Sequence, residues 1–433
     1  MECASVPDPT QVRERDREFV WHPWSPLSAD RAEIMIARAK NHQVWDVSGN
    51  EYIDASSLSS TCGYAHPDVI EAISSQLSRL HGVDMSIASH EAPGLLAERL
   101  ASYLPATLNK TLFVNSGSEG CDAAAMIANW YWSNRGQRRS RMVAFAEGYH
   151  GSTLLSRTLS RLPRVGHQLQ LPLTVTYVDL SAPPAEIRRP ELLSRLLAAF
   201  DQAIGGNPAD LPSAVIVEPF LNVGGGIVLP KGFLAELRRL CDERGTLLIL
   251  DEVFTAYGRT GRMFAFQHED AVPDVLVTSK GLSGGYCPIA TVTVADHVYE
   301  SFAHEPMIGG LRYGHTTSGH AGACAGALAV LDVVDKEKLC ERAELLGARL
   351  ADRLAPLAGQ GELIDVRGFG LIVVLEFSSV EAATLLKERA RAEGLLLRQP
   401  GTAVMVVPPM TIDETVIDDV AERLERVLSK AVL

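Results

Sequence analysis

Three short apolar runs, each ending in a charged or polar group, constrain this chain more than any other feature. AVIV at 214–217 leads into Glu218, LLIL at 247–250 into Asp251 and Glu252, and VLV at 275–277 into Thr278, Ser279 and Lys280. Uninterrupted runs of this length suit strands buried on both faces, and helical stretches such as Lys231 to Glu243 separate them. The pattern predicts an α/β fold with a largely parallel sheet flanked by helices. Open sheets of this kind bind ligands beyond the carboxyl ends of their strands. Glu218, Asp251, Glu252 and Lys280 are therefore expected along one rim.

The same alternation extends upstream. Ala92 to Tyr103 and Ser118 to Trp132 read as helices, and Thr111 to Val114 and Met142 to Ala146 as strands. Before about residue 60 the chain reads as an arm and a hairpin, with the turn cluster Asp46 to Asn50 between Gln43–Trp45 and Tyr52–Ile53. After about residue 320, Leu339 to Leu354, Val380 to Glu393 and Ile412 to Val432 read as helices. Leu371 to Phe377, Leu395 to Leu397 and Val404 to Val407 read as strands. The expected division is 1–60 as arm and hairpin, 61–318 as a large domain and 319–433 as a C-terminal part. The two ends together would build a smaller α+β domain.

Composition narrows the function classes. A net charge of -13 argues against nucleic acid, whose phosphates demand clustered Lys and Arg. The one basic run, Arg135 to Arg141, reads as a solvated helix end or loop. Seven cysteines without a close pair argue against a disulfide framework or a zinc cluster, so no metal site is expected and a reducing cytoplasm fits. The start lacks a basic, then apolar, leader, and no run approaches the roughly 18 apolar residues that span a bilayer. No G-x-G-x-x-G follows the first strand, which argues against a nicotinamide dehydrogenase.

The rim residues suggest a chemistry. Asp251, directly after four apolar residues, is expected to lose its water and so to need a cationic partner. Taken alone, that partner could be a structural arginine. Asn115-Ser116-Gly117-Ser118 lies between a strand and a helix, where free N–H groups, hydroxyls and a glycine make a phosphate cradle. Taken alone, it could be an ordinary N-cap. Combined with Lys280, the set matches the needs of pyridoxal 5'-phosphate (PLP): a helix start for the phosphate, a carboxylate for the ring nitrogen and an amine for the aldehyde.

With those residues in view, the chain resembles the class III (ω-aminotransferase group) aminotransferases of PLP fold type I, from about His22 to about Pro409. The resemblance rests on GYAHPDV at Gly63, FVNSGSEG at Phe113, YHGST at Tyr149, VEP at Val217, the LPKGFLAELRRLCDERGTLLILDEVFTAYGRTG segment from Leu229, PDVLVTSKGLSGGYCP from Pro273 and TTSGHAGAC from Thr316. It implies that Lys280 carries the cofactor as a Schiff base and later acts as the general base. It implies that Ser116, Gly117 and Ser118 hold the phosphate, that Tyr149 stacks on the ring and that His150 and Gly151 complete that loop. Asp251 would pair with the ring nitrogen, with Val253 against the other ring face and Glu218 and Glu252 as supporting groups. Thr316 would reach the phosphate of a neighbouring subunit, making a homodimer necessary. Arg398 would receive a substrate carboxylate. The implied activity is ping-pong transfer of an amino group from a glutamate-type amino acid to a ketone or aldehyde.

The chain also departs from the family pattern. Where many relatives carry large aromatics it has Ser57 and Leu58; Thr317 replaces an aromatic and Ala321 a proline. These departures leave the cofactor residues in place and suggest a larger acceptor, in a specialised biosynthetic reaction. Trp24, with Trp21, either lines the entrance or packs within the arm. The same scaffold supports decarboxylases, racemases and aminomutases, and a non-catalytic relative is a third reading.

Overall fold

Apolar runs become central strands when both of their faces can be buried. In a computed structural model, which describes residues 8–24, 34–162, 173–180, 182–207 and 210–429, they lie in the middle of a seven-stranded sheet. The order is Leu108–Val114, Ala290–Ala295, Val275–Thr278, Leu247–Asp251, Ala214–Val217, Arg141–Phe145 and Thr174–Val178. All neighbours are parallel except around Ala290–Ala295, which runs antiparallel to both strands beside it. Strand alternation sends Ala214, Ile216, Leu247 and Ile249 into one core, and Val215, Val217, Leu248 and Leu250 into another. The sheet is thus covered on both faces, as a mostly parallel sheet requires.

The predicted elements recur with small shifts. The helices span Glu91–Ala101, Gly117–Asn134 and Phe233–Arg244, and later Leu339–Leu354, Val380–Ala392 and Glu414–Ser429. The hairpin forms from Gln43–Asp46 and Glu51–Ala55, joined on its outer side by Ile36–Lys40. Its inner strand, Glu51–Ala55, pairs in parallel with Leu395–Leu397. Segments from distant parts of the chain thus share one sheet. Leu363–Gly368, Val373–Phe377 and Ala403–Val406 make a further antiparallel sheet. The predicted arm falls partly on residues 1–7 and 25–33, which lie outside the described residues.

Two buried arginines tie the large sheet region to the rest. Arg259, in the GRTG turn, donates to the carbonyls of Pro408 at 2.6 Å, Leu371 at 3.3 Å and Ser60 at 3.3 Å. Arg367 donates to the carbonyls of Gly226 and Gly225 at 2.7 and 2.8 Å and pairs with Glu376 at 2.6 Å. Among the described residues no helix is long and apolar enough to cross a membrane.

Candidate active site

The site begins at the N-terminus of the Gly117–Asn134 helix. Ser116 is its N-cap: the hydroxyl accepts from Glu119 N–H at 3.2 Å, and the carbonyl from Gly120 N–H at 2.9 Å. The Glu119 carboxylate reaches back to Asn115 N–H at 2.8 Å. With those donors engaged, the N–H groups of Gly117 and Ser118 are the ones left at the helix start for an anion. A side chain at Gly117 would meet Val253 Cγ atoms at 2.8 Å, so the cradle touches the residue that follows the Asp251-Glu252 pair.

The Tyr149–Thr153 loop closes over this turn. Ser152 N–H donates to Ser118 Oγ at 3.0 Å, and Thr153 Oγ1 donates to Asp122 at 2.7 Å. Gly151 has φ +139°, and a Cβ there would lie 2.6 Å from Ser118 Oγ and closer still to Ser156 Oγ. Only a glycine lets the loop approach so closely. The loop's other anchor is Glu218, which accepts from Tyr149 N–H at 2.8 Å. Burial raises the Glu218 carboxyl above its ordinary pKa, which His150 opposes and Asp251 reinforces.

Asp251 closes the Leu247–Asp251 strand and is buried. Its Oδ2 receives His150 Nδ1 at 2.8 Å and the Cys121 thiol at 3.4 Å, while Oδ1 accepts from Val253 N–H at 3.1 Å. His150 is buried too, and its ring is engaged with Asp251 rather than lining the cavity described below. Glu252 points elsewhere: it accepts from Ala265 N–H at 2.6 Å, Phe266 N–H at 2.9 Å and Thr255 Oγ1 at 2.9 Å. It fastens the segment after the GRTG turn, and burial raises its pKa to about 7.

Lys280 follows the Val275–Thr278 strand with φ +29°, an uncommon conformation for a residue with a side chain and one that concentrates at functional sites. Gly281 after it approaches Thr61, whose hydroxyl donates to the Gly281 carbonyl at 2.9 Å. Burial lowers the Lys280 ammonium below its ordinary pKa, while the charges of Asp251 and Glu218 pull it up and that of Arg398 pushes it down. Charges from three other segments thus act on Lys280.

A cavity of about 520 Å³ is lined by Lys280, Tyr149, Trp24, Leu58 and Arg398, together with Leu162, Val223, Gln399 and Pro400. The Trp24 ring meets Tyr149 edge-on at 6.1 Å, so the tryptophan lines the cavity rather than packing only within the arm. Leu58 packs against the apolar cluster that contains Phe220, Phe254 and Met405. Arg398 bridges to Met405 through its backbone, which sets its place on the cavity wall. Thr316 is exposed and lines a different cavity, of about 660 Å³, with Met85, Pro93, Tyr313 and His315. Its neighbour Thr317 donates to Asn115 at 2.8 Å. Sequence reasoning missed Cys121, Val223, Gln399 and Pro400, which carry no motif and reach the site only through the fold.

These features fit PLP: a close glycine cradle at a helix start, a buried carboxylate with donors behind it, and a lysine facing a cavity. The class-III aminotransferase family model matches residues 25–428. This chain is a class-III aminotransferase. It is 34% identical to the adenosylmethionine-8-amino-7-oxononanoate aminotransferase of Nitratidesulfovibrio vulgaris, over 94% of this chain and 80% of that protein. It is also 34% identical to the 5-aminovalerate aminotransferase of Pseudomonas aeruginosa, over 89% of this chain and 91% of that one. Among solved structures, a PLP-bound amine transaminase from an uncultivated Pseudomonas species aligns with a TM-score of 0.90 at 29% identity, covering 95% of this chain and 99% of that one. The aminotransferase therefore has PLP fold type I and is a PLP-dependent transaminase, acting on small-molecule amino donors and carbonyl acceptors.

Proposed function

We propose that this aminotransferase takes an amino group from an α-amino acid of the glutamate type. It delivers that group to a ketone or aldehyde on a larger metabolite, in specialised biosynthesis. The observation that carries this reading is the single cavity whose wall includes Lys280, Arg398 and Leu58. The planar Arg398 fork suits a carboxylate, which it can grip through two parallel hydrogen bonds. Leu58 beside Ser57 leaves space where related enzymes are expected to carry aromatics. The name of one relative includes 8-amino-7-oxononanoate, a long-chain oxo compound.

When bound, the cofactor supplies an electron sink for the bond broken at the substrate Cα. Ser116, Gly117 and Ser118 would hold its phosphate at the helix start, and Tyr149 and Val253 would pack against its ring. The Asp251 carboxylate would pair with the ring nitrogen and favour its protonated form. Lys280, whose Nζ would hold the cofactor's aldehyde carbon, is the group on the cavity wall that would remove and return the substrate Cα proton. Its lowered pKa increases the share of neutral amine able to do so. The first carbonyl product leaves before the second substrate enters, which makes the kinetics ping-pong. Thr316 of each subunit completes the phosphate site of the other, so the working unit is a homodimer, and the proposed location is the cytoplasm.

An absorbance spectrum of the purified protein, recorded before and after L-glutamate, tests the reading. A visible band that glutamate bleaches supports both the Lys280 assignment and the donor class. A band that other amines bleach and glutamate does not removes the glutamate-type donor. No band removes the Lys280 assignment. The acceptor class is tested by Leu58→Trp, expected to lower kcat/KM for bulky ketones at least about tenfold while sparing small ones, by steric exclusion. Fastest turnover of small diamines or β-alanine in the unmodified protein would overturn the larger-acceptor reading.

A further inference from the structure

Asp251 has more donors around it than the sequence motif discloses. We propose that Cys121 is a positioning residue for the reaction, its thiol acting with His150 to fix Asp251 Oδ2 so that the carboxylate keeps one orientation toward the ring nitrogen. The inference rests on Asp251 being that nitrogen's partner, as proposed above.

Four observations converge on it. Cys121 is fully buried, and its Sγ lies 3.4 Å from Asp251 Oδ2. His150 Nδ1 approaches the same oxygen at 2.8 Å, and Val253 N–H takes Oδ1 at 3.1 Å. The carboxylate is therefore held by three donors, two from segments distant in sequence and one from the backbone two residues on. Cys121 also stands on the Gly117–Asn134 helix, one turn beyond Ser118. One rigid helix thus presents its N-terminus to the phosphate and a donor to the carboxylate serving the opposite end of the cofactor. The spacing between those two recognition points is set by the helix rather than by loops.

Burial among the negative charges of Asp251 and Glu218 favours the neutral thiol at Cys121. The sulfur is therefore a donor with no competing thiolate form. The same fact bears on a second use of the cluster. Cys121 Sγ, His150 Nδ1 and a carboxylate oxygen of Asp251 lie within 4.8 Å of one another, close enough to ligate a metal. A thiolate is the metal ligand, however, and this environment disfavours it. Hydrogen bonding is the role the site supports.

Donors on Oδ2 make Asp251 a weaker base, so a proton shared with the ring nitrogen stays on the ring. Removing one lets the proton drift toward the carboxylate and weakens the ring's pull on electrons. The linkage nitrogen between Lys280 and the cofactor then becomes more basic. The test compares Cys121→Ala and Cys121→Ser with the unmodified holoenzyme, with Cys121→Val standing in for alanine if the smaller residue leaves the protein unstable. We expect the alanine variant to slow the amino-donor half-reaction about tenfold, with donor KM within about twofold, and to raise the pH midpoint of the visible band by about one unit. Serine, which restores a donor, should bring both back toward the unmodified values. An alanine variant with unchanged midpoint and rate overturns the proposal. So does a serine variant as defective as alanine, because volume and not hydrogen donation would then matter. Asp251→Asn separates the two levels. If it too leaves band and rate unchanged, the nitrogen-partner assignment falls with the proposal; if it is defective while Cys121→Ala is silent, only the role of Cys121 falls.

Discussion

At the scale of single residues, the site is a set of buried charges whose costs are met by particular neighbours. Lys280 and Asp251 share one low-dielectric region with Glu218, and the lysine's tendency to lose its proton there is checked by the two carboxylates. Replacing Lys280 with alanine should abolish the covalent visible band and slow transamination by roughly 10²- to 10⁴-fold, the range expected when a general base is lost. Spectra and single-turnover rates would check both. Glu252 offers a separate test. Its pKa rises from 4.5 to about 7 on folding, because burial outweighs the donors from Ala265, Phe266 and Thr255. A raised folded pKa means that the native state binds the proton more tightly than the unfolded chain. The associated stability is fully present below about pH 4.5 and is lost as pH rises through about 7. Glu252→Gln cannot ionise but offers only one acceptor oxygen, so it should be less stable than the unmodified protein at about pH 4.5, with a deficit that shrinks by a few kcal/mol at most as pH rises through that window. Thermal melts of both proteins from about pH 4.5 to 8 would show the deficit shrink, or fail to.

At the scale of elements, function depends on two close approaches: a loop onto a helix start and a strand end onto a helix side. The Tyr149–Thr153 loop sits against Ser118 because Gly151 has no side chain and a φ of +139°. Gly151→Ala should lift the loop from the phosphate turn. The expected result is a loss of about 1–3 kcal/mol of stability and faster loss of PLP on dialysis, measured by residual absorbance. At the other end of the same helix turn, Ser116→Ala removes the N-cap to Glu119. It should cost about 1 kcal/mol in a denaturant melt without altering the loop.

The whole molecule places residues from both ends of the chain around one cavity. Trp24 and Leu58 come from the N-terminal part, Tyr149 and Lys280 from the large sheet region, and Arg398 from the C-terminal part. The buried Arg259 and Arg367 hold these regions in register through backbone carbonyls. Thr316 lines a different cavity from Lys280 in its own chain, and its proposed service to a second copy can be tested by complementation. Mixing two inactive variants, Lys280→Ala and Thr316→Asp, should recover roughly a quarter of the unmodified activity. Half of the randomly formed dimers are mixed, and each mixed dimer regains one of its two sites. Light scattering would establish the dimer itself, and no recovery after verified subunit exchange would count against a shared site.

The central strands were legible in the sequence because burial on both faces leaves no polar residue in the run. AVIV at 214–217 and LLIL at 247–250 need no tertiary information to be recognised. The motif residues were legible for a related reason: the strand ends and the helix start oblige Asp251, Lys280 and Ser116 to lie at one rim. Ala290–Ala295 was not recognised as a strand, since it alternates apolar residues with threonine and runs against its neighbours. Its threonines are buried and bonded across strands, Thr293 to Thr111 and Thr291 to Thr278, a pairing no local pattern discloses. The engagement of His150 with Asp251, the thiol of Cys121 behind the same carboxylate, and the passage of Val223 and Gln399 into the cavity wall were likewise decided by the tertiary structure. Local sequence sets which residues are buried and which end a strand, because those depend on periodicity and polarity alone. Which buried donor meets which buried acceptor depends on how distant segments pack, and that is settled only when the chain closes on itself.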